Sequence, residues 1–235
     1  MVDFHSHILP GIDDGSPSRD VSLEMLRLEA QQGITHVVAT PHFYAREDRL
    51  DHFLKKRDIS EQALRCKMEQ DPGLPELLVG AEVSFFRGIS ESTFLRELTI
   101  TGTNGILIEM PAAPWTEAMY GELAAIAERQ RLVPIIAHID RYIGPWRTYR
   151  IPHRLAQLPV LVQANAEAFL DRRMAPLMLR LLREGNIHLL GSDCHDLTER
   201  KPNIADAVPR ITQKLGPHAL SHIHTQEKRL LRNLP

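Results

Sequence analysis

Seven short apolar runs recur along the chain with amphipathic stretches between them: Val2 to His7, Ile34 to His42, Leu77 to Glu82, Gly105 to Glu109, Leu132 to Ile139, Val160 to Asn165 and Ile187 to Asp193. Parallel strands need long crossovers and cover on both faces, so strands alternating with helices in this way are expected to form parallel βα units that close into a barrel. Several helices are marked by their own signals. Ser16-Pro17-Ser18 can cap a helix that buries Val21, Met25, Leu26, Leu28 and Ala30 and stops at Gly33. Further helices are expected over Leu50 to Gln70, Thr116 to Arg131, Glu167 to Glu184 and Ile204 to Leu215. No repeat of solenoid period and no low-complexity linker interrupts the pattern, so residues 1–235 read as one α/β domain.

Composition removes several classes of function. A net charge of -2 with 25% charged residues carries no basic excess for nucleic acid and no acidic tail. The N-terminus lacks signal-peptide character and no apolar run approaches the roughly 18 residues of a membrane span, so the expected location is the cytoplasm, without membrane insertion. Two cysteines cannot make a disulfide framework, whereas twelve histidines are an excess that asks for metal or acid-base chemistry.

The histidines and carboxylates are placed accordingly. His5 and His7 stand two apart in an extended run, where side chains at i and i+2 point the same way and can face one ion. Gly11 and Gly15 permit the tight turn that would return Asp14 to the same place. Every run except the sixth carries a metal-binding residue at or beside its end, adding His42, Glu82, Glu109, His138, Asp193 and His195. In a parallel barrel the C-terminal strand ends share one rim, so residues on the order of hundreds of ångströms apart along an extended chain converge there. Nine ligands exceed one tetrahedral zinc and imply two or three divalent ions. Mixed imidazole and carboxylate donors suit manganese, iron, zinc or magnesium. Such a cluster performs hydrolysis by water activated at a metal, and four carboxylates against three divalent ions leave a net positive rim suited to a phosphate ester.

Arg141 and Arg200 follow His138 and His195 in loops at that rim, and their guanidinium forks match phosphate oxygens; both are assigned to substrate binding and catalysis. Arg46, after His42, is a third candidate for substrate binding. The other histidines, His36, His52, His153, His188, His218, His222 and His224, read as structural. Cys194 to Arg200 satisfies the C-x5-R spacing of cysteine-dependent tyrosine phosphatases, but the loop lacks glycine, and Asp196 and Glu199 would repel a phosphate.

The combination of H-S-H-I-L-P-G-I-D-D-G at 5–15, A-T-P-H at 39–42, G-A-E at 80–82, I-E at 108–109, A-H-I-D-R-Y at 137–142 and G-S-D-C-H at 191–195 resembles the polymerase-and-histidinol-phosphatase (PHP) superfamily. Within it the chain is similar to the bacterial protein tyrosine phosphatases of capsule and exopolysaccharide loci. The resemblance implies a distorted (β/α)7 TIM-like barrel and a trinuclear, usually manganese-supported centre. It implies ligation by His5, His7, Asp14, His42, Glu82, Glu109, His138, Asp193 and His195, with Arg141 and Arg200 near the substrate phosphate. Phe43-Tyr44-Ala45 departs from the basic loop of many relatives. The substrate implied is the phosphotyrosine-rich tail of a bacterial tyrosine kinase that controls polysaccharide export.

The expected reaction is therefore direct attack on phosphorus by metal-activated water, with the phenolate leaving readily and either Asp140 or a metal-bound water available as acid. Pro111 to Trp115 is a stiff loop that could wall the phenyl ring. The alternatives are a small-molecule phosphatase such as histidinol-phosphate phosphatase, a phosphodiesterase, or a noncatalytic regulatory barrel.

Overall fold

The structure, a computed structural model, describes residues 1–144 and 150–232. All seven apolar runs are extended, and two of them are broken in the middle. The strands are β1 (Val2–Ser6), β2 (His36–Ala39), β3 (His42–Phe43), β4 (Glu76–Val79), β5 (Glu82–Ser84), β6 (Gly105–Glu109), β7 (Val133–Ile136), β8 (Leu161–Asn165) and β9 (Leu189–Gly191). Pro41, which has no N–H for a ladder, lies in the gap between β2 and β3, and Gly80 in that between β4 and β5. The breaks transfer the pairing from one parallel sheet, β1-β2-β4, to the other, β3-β5-β6-β7-β8-β9. The ring closes between β9 and β1: Ser6 bridges Cys194, and the His7 N–H donates to the Cys194 carbonyl at 2.9 Å. The expected parallel barrel is present in distorted form.

The helices are α1 (Arg19–Gln31), α2 (Leu50–Met68), α3 (Glu117–Gln130), α4 (Arg150–Leu155), α5 (Ala175–Arg183), α6 (Ile204–Leu215) and α7 (Ser221–Leu230). Ser18 caps α1 as its sequence predicts, its side chain accepting the Val21 N–H. One expectation fails. The span Glu167 to Glu184 is not one helix but a 3-10 turn, Ala166–Phe169, followed by α5. Asp171 accepts the N–H groups of Arg173 and Met174 at 2.7 and 2.8 Å, a side-chain turn that interrupts the first helix and starts the next. The short α4 and the polar α7 were not signalled by any apolar period.

Most of the core lies between strands and helices. A smaller cluster fills the barrel with Val2, Phe4, Val38, Leu78, Leu107, Ile135 and Leu189, and Leu230 of α7 and Ile100 join it. β1 contributes to both the barrel filling and the rim because its register with β2 shifts between Asp3 and Ser6. That irregularity resets the alternation of side chains, so Phe4 enters the core while His5 and His7 still face inward above it. Asp3 ties the barrel seam, accepting the N–H groups of Ser192 at 2.9 Å and His5 at 3.1 Å. Gly191 makes the seam possible, since a Cβ there would lie 2.7 Å from His5 Cβ.

Candidate metal centre

The nine predicted ligands meet at the C-terminal rim. Glu82, 1% exposed, is the hub: one carboxylate oxygen lies 3.3 Å from His5 Nε2, 3.3 Å from His7 Nε2 and 3.0 Å from His42 Nδ1, and the other lies 2.8 Å from His138 Nε2. Around it the donors fall into overlapping groups: His7, Asp14, His42 and His195; His5, His7 and Asp193; His5, Glu82 and His138; His42, Glu82 and Glu109. Within each group the donor atoms lie within 4.8 Å of one another. Asp14 arrives by the turn expected from its glycines, closed by Ser16 N–H to the His7 carbonyl at 2.9 Å and Gly11 N–H to the Ser16 carbonyl at 2.8 Å. At Gly15 a Cβ would sit 2.1 Å from the His7 carbonyl oxygen, so the turn requires glycine.

The imidazoles are oriented as metal ligands need. His7 Nδ1 donates to Asp13 at 2.7 Å, His195 Nδ1 to the Asp193 carbonyl at 2.9 Å, and His5 Nδ1 faces the Gln163 side-chain oxygen at 3.4 Å. With Nδ1 engaged, each ring presents Nε2 to the cluster, the arrangement of a carboxylate- or carbonyl-backed ligand. His5 Nε2 and His7 Nε2 stand 3.2 Å apart, and His195 Nε2 is buried with no hydrogen-bond partner among the described residues. Two imidazole nitrogens bound to one ion at about 2.0–2.1 Å each would be separated by a similar span. The donor set therefore fits divalent ions.

Electrostatics point the same way. Burial alone would push the Glu82 carboxyl up, but His5, His138 and His42 hold it well below the usual range. Asp193 is similarly opposed by burial yet held down to about 2 by His5, Arg141, His7 and Arg200. Burial opposes protonation of His7, but Asp13 and Glu82 outweigh it and raise the imidazolium to about 10. His195, by contrast, is pushed down to about 4 by burial, His7 and Arg200. Carboxylates this deep demand positive charge, which a divalent ion supplies more compactly than protonated imidazoles. His138 and Asp193 also adopt left-handed backbone angles, φ 30° and 54°, unfavourable for non-glycine residues. Both lie at strand ends on the rim.

Arg141 and Arg200 both reach Asp193, Arg200 at 2.8 Å from one oxygen and Arg141 bonded to the other. They are thus at the centre, while Arg46 is exposed and, among the described residues, forms no ion pair with the ligand cluster. None of the seven other histidines joins a metal-capable group among the described residues. Asp140, pushed up to about 6 by burial, accepts the Asn165 N–H at 2.9 Å and lines a small cleft with Arg141, Asp193 and Arg200. Trp115 donates to the Pro111 carbonyl at 3.1 Å and packs edge-on against Tyr142, which walls a cleft of about 640 Å³ shared with Arg141.

The supporting residues were not identified from sequence. Asp13 backs His7 and also accepts the His42 N–H at 3.2 Å; its signal was the doubled acid in the Gly11 to Gly15 turn. Asn165 ends the sixth run, the one without a ligand, and donates to Asp193 at 3.0 Å, with Gln163 donating in turn to Asn165. Asp13→Asn is expected to weaken metal affinity about 10- to 100-fold by loss of the carboxylate behind His7, measured by competition with a chromogenic chelator. Unchanged affinity would remove Asp13 from the centre.

The family profile for capsular polysaccharide synthesis, CpsB/CapC, matches residues 1–232. The chain belongs to the CpsB/CapC family. The tyrosine-protein phosphatase YwqE of Bacillus subtilis (strain 168) is 26% identical over 99% of this chain and 92% of its own length. The tyrosine-protein phosphatase CpsB of Streptococcus pneumoniae is 26% identical over 92% of this chain and 91% of its own length. Among solved structures, one from work on YwqE and CpsB, described as unique metal-dependent tyrosine phosphatases, superposes with a TM-score of 0.83. It covers 100% of this chain and 96% of its own at 22% identity. Histidinol phosphate phosphatase from Lactococcus lactis, solved with zinc, L-histidinol and phosphate, follows the same fold at a TM-score of 0.57 and 14% identity, covering 92% of this chain and 93% of its own. Family and fold thus agree with the distorted barrel that the strand pattern and motifs imply.

Proposed function

We propose that this chain, acting as one catalytic unit over residues 1–235, is a metal-dependent phosphatase of phosphotyrosine proteins. The observation that carries the reading is the convergence of nine imidazole and carboxylate donors on one rim, with two arginines at its edge. The related YwqE and CpsB proteins, named as tyrosine-protein phosphatases, support the same substrate class.

His5, His7, Asp14, His42, Glu82, Glu109, His138, Asp193 and His195 would hold two or three divalent ions, manganese in our reading, with iron, magnesium or zinc compatible with the same donors. Such ions supply Lewis acidity toward phosphoryl oxygens and water of lowered pKa. Hydrolysis breaks the bond between phosphorus and the phenolic oxygen and forms one to a water oxygen. Arg141 and Arg200, now on Asp193, turn their forks to the equatorial phosphoryl oxygens as charge grows there. The cleft at Trp115 and Tyr142 receives the phenyl ring beside Arg141. In a cell the substrate would be the tail of a bacterial tyrosine kinase in the cytoplasm.

The second reading, a histidinol-phosphate phosphatase, draws on the shared fold. The wide cleft at Arg141, walled by aromatic side chains, favours a peptide over a small cationic alcohol phosphate. With manganese present, kcat/KM for a phosphotyrosine peptide is expected to exceed that for histidinol phosphate by about 100-fold or more, a gap of roughly 3 kcal/mol. Preference for histidinol phosphate would reverse the assignment, and no hydrolysis of either would favour a regulatory barrel.

A further inference from the structure

The end of the barrel opposite the metal centre holds a cleft of about 680 Å³ beside the first residues of β7 and β8, Val133 and Leu161. Its volume lies within the roughly 300–1,000 Å³ of small-molecule sites. Three arginines line it, Arg131 after α3 and Arg229 and Arg232 at the end of α7. No carboxylate lines it among the described residues, and none of the three arginines is paired with one there. Arg27, Arg49, Arg65 and Arg154 each meet an acid elsewhere on the surface, whereas here three guanidiniums converge on one cavity. The nearest acid of α7 is already engaged: Glu227 accepts the Val2 N–H at 3.1 Å and His224 Nδ1 at 3.0 Å.

Two further features suit an anion with an uncharged body. Arg131 sits at φ 56°, the left-handed position after a helix where glycine is the usual residue, so the chain carries backbone strain where it places this guanidinium. His188 accepts the Val162 N–H through Nδ1 at 3.1 Å; burial and then His222 push its pKa down to about 4, leaving a neutral ring with Nε2–H as a donor. Leu132, Val133, Val160 and Leu161 supply apolar wall between these groups. Unpaired guanidiniums on a concave, partly apolar surface concentrate positive potential and match phosphate oxygens in bidentate fashion.

We propose that this basal cleft binds a small organic diphosphate of the nucleoside di- or triphosphate class, at a site separate from the metal centre. The arginines neutralise the diphosphate, and the apolar wall takes the uncharged body.

The test is calorimetric titration of the manganese-loaded protein with an ADP analogue carrying a methylene bridge, with methylenediphosphonate and with adenosine. Arg131→Gly with Arg229→Gln is the informative variant, because glycine relieves the left-handed strain and the fold is retained. This variant is expected to weaken the ADP analogue by about tenfold or more while hydrolysis of phosphotyrosine peptide stays within about twofold. Arg141→Gln with Arg200→Gln is expected to leave the affinity within about twofold while depressing hydrolysis. Stronger binding of the ADP analogue than of methylenediphosphonate or adenosine assigns the body to the apolar wall; methylenediphosphonate binding as tightly overturns the nucleotide class. Binding that ignores the Arg131 and Arg229 changes, or is absent from the wild type at about ten millimolar, overturns the site.

Discussion

Chelation is expected to lower phosphotyrosine-peptide hydrolysis by about a thousandfold or more, with recovery on adding manganese, while Cys194→Ser leaves the activity within about twofold. The two halves separate metal chemistry from the thiol mechanism that the C-x5-R spacing suggests. Cys194 is fully buried at the barrel seam, and burial, together with Glu29 and Asp3, pushes its thiol well above the usual range. A nucleophilic cysteine needs the opposite, an accessible thiolate in a positive field. The loop after it is also closed to phosphate. His195 N–H donates to the Arg200 carbonyl at 2.8 Å, and Asp196 accepts the N–H groups of Thr198 at 2.6 Å and Arg200 at 3.2 Å. Those amides would otherwise form the cradle. Activity that survives chelation and disappears in Cys194→Ser would overturn the metal assignment.

Glu82→Gln is expected to reduce kcat/KM by about 100-fold or more and to lower bound manganese, measured by elemental analysis of the dialysed protein. No other carboxylate faces as many imidazoles among the described residues: His5, His7, His42 and His138 all lie within 3.3 Å of it. Glutamine removes the charge and turns an amide N–H₂ toward ring nitrogens. Leaving buried imidazolium without its partner typically costs about 3–5 kcal/mol, so the metal-free variant should also melt earlier than the metal-free wild type. Wild-type metal content and rate in the variant would show that Glu82 is only a buried counter-ion.

The candidate donor cluster was legible because its signal is positional. His7, His42, Glu82, Glu109, His138 and Asp193 each stand at or beside the end of an apolar run, and a parallel barrel converts that shared position into proximity. The groups that tune these ligands carry no such mark. Asp13 looks equivalent to Asp14 in the same turn, yet one is buried against His7 and the other is exposed on the rim side of His42 and His195. Asn165 reads as a run that ends without a ligand, and only its 3.0 Å bond to Asp193 gives it a role. The interruption at Asp171 was invisible for a similar reason: one side chain capturing two backbone N–H groups outweighs an apolar period that continues across it.

Sequence alone therefore determined the chain's class, a parallel α/β barrel whose strand ends carry imidazoles and carboxylates, because strand period, helix period and residue type are local properties. Tertiary structure alone decided which of two adjacent aspartates backs a histidine, how β1 serves core and rim together through its register shift, and that three distant arginines share one cleft beneath the barrel. These depend on where separate segments meet in space, and hydrogen-bond partners and uncompensated charge exist only once the ring has closed.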